Sequence, residues 1–399
     1  MPYFEFLTGQ AGTGKTYQIK KRIEDDPEYA LLCATTGVAA TNLDTVTLNS
    51  TIGYYDTDSL REAKLNGRLF GRLRNIAMGE NRVRNIVIDE VSMMDGEQLD
   101  IFHDALIDLE QRISGVSLGM ILTGDFAQLP PVKAKFAFEA KCWPVFEANT
   151  TKLDKVWRQS NGAFLDALNW IRKGNGHKAV KLLRELNVEV GTKVDDNFDG
   201  LTIKSTNREV EPVNERRYAQ LVGPEICVRN LREGIQKTEW KLIPEELRLK
   251  KGALVMVLAN SKERLGDSFA YVNGDLGHVQ DFDSRTGQFQ IKLNRSGMVV
   301  GVDKVKRPNK VKTDDGRVVS KGSIDYMPLR LAYAATAHKT QGLTLDRVQV
   351  DVRGKFFENP GMVYVALSRC RTPEGLRIVG SRELLAHRTV VDPRITKWL

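Results

Sequence analysis

Residues 9–16 read Gly9-Gln10-Ala11-Gly12-Thr13-Gly14-Lys15-Thr16, and this stretch decides the fold. Its spacing, GxxxxGK[ST], is that of a phosphate loop. Glycines let successive backbone N–H groups turn inward around a β-phosphate, Lys15 reaches the β/γ oxygens, and the Thr16 hydroxyl can ligate Mg²⁺. Gly9, Ala11, Gly12, Thr13, Gly14, Lys15 and Thr16 are therefore the candidate nucleotide-binding residues. Upstream, Tyr3–Thr8 is apolar and aromatic and reads as a buried strand. Downstream, Tyr17–Ile23 has helical spacing and good helix formers. The loop thus joins a strand to a helix whose N-terminal dipole favours an anion.

Working outward, Ala30–Ala34, Asn85–Glu90 and Gly119–Asp125 are short apolar runs that end in polar residues or glycine. Strands of a parallel sheet end this way where they feed a ligand site. Phe164, Leu168 and Ile171, then Val180 and Leu183, carry helical spacing around a break at 174–176. From Gly252 the texture changes. Ala253–Leu258, Gly277–Phe282, the alternating Gln288–Leu293 and Arg317–Val319 after an Asp314-Asp315-Gly316 turn predict a small antiparallel barrel. The α/β texture returns after Pro328, so the barrel is inserted in a second α/β domain.

Composition sets the outer limits. The chain has 399 residues, is 41% hydrophobic and carries net charge +8. That suits a large core and a nucleic-acid partner. No run approaches the roughly 18 apolar residues of a membrane span, and the N-terminus lacks a signal-peptide pattern. Four scattered cysteines with no CxxC pair argue against zinc or a disulfide framework and fit a reducing compartment.

The chemistry gathers at strand ends. Asp89-Glu90 closes an apolar strand, so Asp89 is the candidate second Mg²⁺ contact and Glu90 the group that orients and deprotonates water. Gln128, in Gly124-Asp125-Phe126-Ala127-Gln128-Leu129-Pro130-Pro131, can sense a γ-phosphate, or it belongs to a polar turn capped by prolines. Arg158 in Trp157-Arg158-Gln159 and Arg369 in Leu367-Ser368-Arg369 are candidates for charge on a transferring phosphoryl group, both placed outside the phosphate-loop domain. Arg61, Lys64, Arg68, Arg72, Arg74, Arg82 and Arg84 form a basic segment that either contacts phosphates or is a solvated helix face. Lys304–Lys312 is a second basic run, expected in a barrel loop.

Taken in order, these motifs resemble superfamily-1 DNA helicases of the 5′→3′ Pif, RecD and Dda type. The matching stretches are residues 9–16, Thr36–Ala40, Thr47–Thr51, Asp89–Met93, Gly124–Val132, Trp157–Gln159, Ala337–Thr344 and Tyr364–Arg369. The resemblance implies an α/β fold of two RecA-like P-loop domains, parallel sheets with flanking helices. It also implies a small 1B-type insertion and an SH3-like β-barrel insertion in the second domain. The domains would be 1–152 with a basic insertion at about 47–82, then 153–250, the barrel at 251–327, and 328–399.

It implies ATP and Mg²⁺ as cofactors. Lys15, Asp89, Glu90, Gln128, Arg158 and Arg369 would be catalytic, with Thr16 and Asp89 on the metal and Gly342 added to the nucleotide contacts. Single-stranded DNA would meet Thr36, Phe126, His338, Lys339 and Thr340. The expected partners are single-stranded and forked duplex DNA and replication or repair proteins, the expected state a monomer. The expected location is the cytoplasm of a bacterial or phage-infected cell, or a eukaryotic nucleus or mitochondrion. The alternatives are a single-strand translocase or remodeller, including one on RNA, and a non-catalytic motor-fold subunit. Eight residues precede the loop, short of the helix with an adenine-reading glutamine that the family carries. The expectation is that another residue reads the base or that base specificity is relaxed.

Overall fold

The computed structural model describes residues 2–399 apart from 37–38, 41–42, 44, 160–161, 236–239, 241–242, 262–263, 266–267 and 313–317. Gly37 and Val38 of the Thr36–Ala40 stretch and the Asp314–Gly316 turn lie outside the described residues. The chain divides into two compact units, residues 1–186 with 358–368 and 385–399, and residues 187–357 with 369–384. Among the described residues no helix is long and apolar enough to cross a membrane.

The first unit is built on a six-stranded, wholly parallel sheet. Its strands are β1 (Phe4–Gly9), β2 (Ala30–Ala34), β3 (Val46–Thr47), β4 (Asn85–Asp89), β5 (Gly119–Gly124) and β6 (Thr150–Leu153), in the spatial order β3-β2-β4-β5-β1-β6. β4 and β5 are buried at every position, as strands covered on both faces must be. β6 is polar and mostly exposed at the sheet edge, so it gave no apolar signal in the sequence. Helix α1 (Lys15–Asp25) follows the phosphate loop, and Leu7, Ile19, Leu32, Val87 and Ile121 close a core between it and the sheet.

The segment expected as a small insertion forms helices α2 (Thr57–Leu65) and α3 (Arg68–Met78), which lay Leu60, Ala63, Leu69 and Leu73 against α4 (Gly96–Arg112). Asp56 starts α2 with a capping box shared with Ser59, which satisfies backbone donors at the helix start.

The packing carries the first unit past the expected break at 152/153. Helix α5 (Gly162–Arg172) buries Phe164, Ala167, Leu168 and Ile171 and packs on the helix Met362–Leu367. The C-terminal Trp398 enters the aromatic cluster of Phe6, Phe126 and Trp143. Long-range burial of this kind leaves no periodic trace in a linear sequence.

The second unit has its own five-stranded parallel sheet, in the order Ala334–Thr336, Leu201–Lys204, Val348–Asp351, Leu376–Val379, Glu189–Gly191. Its antiparallel region begins at Ile226, not at 251. Ile226–Arg229 pairs with Glu246–Leu249. A five-stranded sheet runs Val299–Val302, Gln288–Leu293, Leu276–Asp283, Leu254–Val257, Leu329–Leu331. Val228, Leu247 and Leu249 share one core with Val255, Ile291 and Phe289, which is why the earlier strands belong here. Among the described residues the five-stranded sheet is open, with Val299–Val302 at one end of the order and Leu329–Leu331 at the other. The basic run expected in a loop is a strand, Val305–Lys312, paired with Val318–Tyr326.

Candidate nucleotide and nucleic-acid sites

In a parallel sheet the carboxyl ends of β1, β5 and β4 lie side by side along one edge, and the phosphate loop leaves the first of them. The loop is tight enough to dictate its glycines. A Cβ on Gly9 would lie 2.5 Å from the Leu153 carbonyl oxygen. On Gly12, held at φ +86°, it would lie 2.6 Å from Arg158 Cβ. Thr13 closes the turn through its hydroxyl on the Gln10 carbonyl at 2.9 Å. Lys15 is buried, and its Nζ donates to the carbonyls of Gly9 at 2.8 Å and Gln10 at 3.1 Å. Burial pulls its pKa down, while the negative charges of Asp125, Glu90 and Asp89 oppose that shift.

Asp89 ends β4 with both carboxylate oxygens engaged. Thr16 Oγ1 donates to Oδ2 at 2.7 Å, the Glu90 N–H donates to Oδ1 at 2.9 Å, and the Thr123 hydroxyl also donates to Oδ1. Glu90 is held at φ +58°, a left-handed conformation that costs a non-glycine residue energy and that its surroundings must enforce. The Thr35 hydroxyl on the Glu90 carbonyl at 3.0 Å is one restraint. Gln128 is buried, its N–H bonded to the Asp125 carbonyl at 2.9 Å, and its Oε1 has no hydrogen-bond partner among the described residues.

Arg158 lies in the same compact unit as the loop, which corrects the sequence placement. Its backbone neighbour Trp157 donates to the Gly12 carbonyl at 2.8 Å, anchoring the segment to the loop. Its Nη1 donates to the Ser368 carbonyl at 3.2 Å, as does Gln159 Nε2 at 3.2 Å.

One network was not legible in the sequence. Asp125 is fully buried and paired with Arg172, at 2.8 Å from Nη2 and 3.2 Å from Nε. Burial pushes the Asp125 carboxyl up, and the charge and hydrogen bonds of Arg172, with Lys15 and the Ala127 N–H, together outweigh it, so the net shift is downward. Arg172 Nη2 also donates to the Trp398 carbonyl at 2.8 Å. Tyr364 donates to Asp125 Oδ2 at 3.2 Å and accepts from the Ala11 N–H of the phosphate loop at 3.0 Å. A phenol inside the buried run Met362–Leu367 was the available signal, because a buried Tyr hydroxyl needs partners.

Within the second unit, Arg369 is buried and donates from Nη1 to the Leu343 carbonyl at 3.4 Å, the residue after Gly342. Gly342 is exposed at φ +79°. The turn His338–Thr340 follows the strand Ala334–Thr336. His338 and Lys339 are half-buried, and burial lowers the pKa of each. Thr340 is buried and spends its hydroxyl on the Ala337 carbonyl at 2.8 Å, a structural bond and not a free contact.

Thr36, in the first unit, is half-buried and accepts the Ala39 N–H at 3.1 Å. Phe126 corrects the expectation of a contact with single-stranded DNA. It is 2% exposed, its ring enclosed by Phe6, Phe136, Phe138, Trp143 and Trp398 at 4.8 to 6.3 Å, and it has no face to offer.

The family model described as PIF1-like helicase matches residues 2–180. The ATP-dependent DNA helicase Pif1 of Bdellovibrio bacteriovorus is 32% identical over 407 residues, covering 98% of this chain and 86% of that protein. The chain belongs to the PIF1-like helicase family. It spans about 60% of the length of the PIF1 relatives from Emericella nidulans and Homo sapiens. Among solved PIF1-family structures, a Bacteroides sp. Pif1 in complex with ADP-AlF4 is 25% identical, with TM-score 0.75 over 99% of this chain and 92% of that one. Bacteroides Pif1 in complex with ADP-AlF3 and ssDNA is 26% identical, with TM-score 0.60 over 99% and 92%. The two parallel-sheet units are accordingly the two RecA-like domains of this family.

Proposed function

We propose that this PIF1-like chain is an ATP-driven motor that moves 5′→3′ on single-stranded DNA and unwinds duplex ahead of it. The observation that carries this reading is the pairing of Thr16 with Asp89 at 2.7 Å, beside a complete phosphate loop and a buried Gln128 whose Oε1 has no partner among the described residues. The relatives solved with ADP-AlF4 and with ssDNA support both halves of it.

In this reading the loop amides and Lys15 hold the β- and γ-phosphates. The charges of Asp89, Glu90 and Asp125 help Lys15 keep its proton despite burial. The hydroxyl and carboxylate of Thr16 and Asp89 are a hard oxygen set suited to Mg²⁺, which when bound would neutralise charge on the phosphate oxygens. Glu90 orients the attacking water and takes its proton. The free Oε1 of Gln128 accepts a hydrogen bond from that water, and its amide N–H₂ donates to the terminal phosphate. Arg158 and Arg369 supply positive charge to the transferring group. Thr36, His338 and Lys339 contact the strand.

Strand polarity tests the reading. A duplex with a 5′ single-stranded DNA tail should be unwound with ATP, and the same duplex with a 3′ tail should not. Unwinding only from a 3′ tail, only with an RNA tail, or from none would overturn it.

A further inference from the structure

Arg330 stands on the strand Leu329–Leu331, opposite Met256 of Leu254–Val257. Its Nη2 contacts Met256 Sδ at 3.2 Å, a weak acceptor. The side chain is half-buried, and no carboxylate pairs with it among the described residues. Burial alone draws its pKa down to about 10. The chain then passes through Ala334–Thr336 into the His338–Thr340 turn, where the Arg330 charge works against the neighbouring ammonium of Lys339 and Glu211 only partly offsets it.

Elsewhere in the same unit Arg295 pairs with Asp275, Lys204 and Arg353 with Asp351, and Arg377 with Glu189. Two like charges partly withdrawn from water, with no acid in an ion pair with either among the described residues, are destabilising unless an anion joins them. An exposed aromatic ring lies against His338, the residue before Lys339. Phe356 is 44% exposed, its centroid 5.9 Å from the His338 ring. A cationic seat next to an exposed ring is the chemistry of single-stranded nucleic acid, whose phosphates need charge and whose bases need a flat apolar face.

We propose that Arg330 anchors a backbone phosphate of the bound single strand next to Lys339, and that Phe356 stacks on an adjacent base. This rests on the single-strand-binding reading above and adds two contacts to it.

The test is fluorescence anisotropy of a labelled oligo-dT titrated with the full chain across a potassium chloride series. Arg330→Met, which fits beside Met256, should weaken binding about tenfold and make the slope of log K against log salt shallower by about 0.7, one phosphate contact on a single strand. Arg330→Gln reads the same slope should Arg330→Met not fold. Arg330→Lys should restore the slope. Phe356→Ala should weaken binding about tenfold with the slope unchanged, because stacking releases no counterion. Wild-type affinity and slope in Arg330→Met, or weaker binding with an unchanged slope, overturns the anchor alone. A wild-type chain that ignores the oligonucleotide overturns the single-strand reading and the anchor together.

Discussion

The phosphate loop leaves a parallel strand and the Leu329–Thr340 segment runs from an antiparallel strand into a parallel one, and the two treat charge in opposite ways. Around the loop almost every polar group is matched. Lys15 lies on two carbonyls, Asp89 accepts three donors, and Asp125 is held by Arg172 and Tyr364. Along Leu329–Thr340 the charge of Arg330 works against that of Lys339, Glu211 offsets it only in part, and neither cation makes an ion pair among the described residues. Matched charges preorganise a site for chemistry, where a small displacement is costly. Unmatched charges invite a ligand that completes them and can leave again, which suits a grip that must be released at each step.

The sharpest break in this contrast comes from the loop. Lys15→Ala should cut ATP turnover by about 10²- to 10³-fold or more while the chain remains folded, measured by phosphate release and by circular dichroism. Full activity in that variant would remove the loop from the chemistry.

Next in size is the buried ion pair. Asp125→Asn leaves Arg172 without its counter-charge and should cost about 3–5 kcal/mol of stability in urea unfolding. The sign with pH follows from the lowered Asp125 pKa. The folded value lies below the ordinary aspartate value of 3.8, so the stabilisation is fully present above about pH 4 and is lost as pH falls through the folded value. Wild type should therefore lose stability toward acid more steeply than Asp125→Asn.

Tyr364→Phe removes the acceptor for the Ala11 N–H and the donor to Asp125. A lost buried hydrogen bond of about 1–2 kcal/mol should appear as a fivefold to thirtyfold rise in KM for ATP, with a smaller effect when Asp125 is already Asn, because the Ala11 bond is lost either way.

The smallest effect separates matched from unmatched surface charge on α2 and α3. Arg61 is already paired with Asp58 and Glu97, while Arg72 and Arg74 are exposed with no ion pair among the described residues. Arg61→Ala should leave the salt slope of oligonucleotide binding unchanged. Arg72→Ala and Arg74→Ala should each weaken binding about twofold if this face touches DNA, and no change would make it a solvated helix surface.

What the sequence made legible follows the same division. The loop, α1, β2, β4 and β5 were readable because apolar runs and glycine spacing are local. Asp89 and Glu90 were readable because they close such a run. Arg172 could not be paired with Asp125 from the sequence, nor Tyr364 with Ala11, because the partners lie 47 and 353 residues apart. Phe126 failed for the opposite reason. Its motif position suggested exposure, and only the three-dimensional packing of Trp398 and its neighbours shows the ring enclosed. Arg330 was overlooked because an arginine among 59 basic residues stands out only when its missing partner is seen.

The most direct measurement is steady-state ATP hydrolysis with and without single-stranded oligo-dT. A motor that couples the Thr16–Asp89 centre to a strand should hydrolyse ATP many times faster when oligo-dT is present, and lose that stimulation in Lys15→Ala. Equal rates with and without the strand would contradict the account.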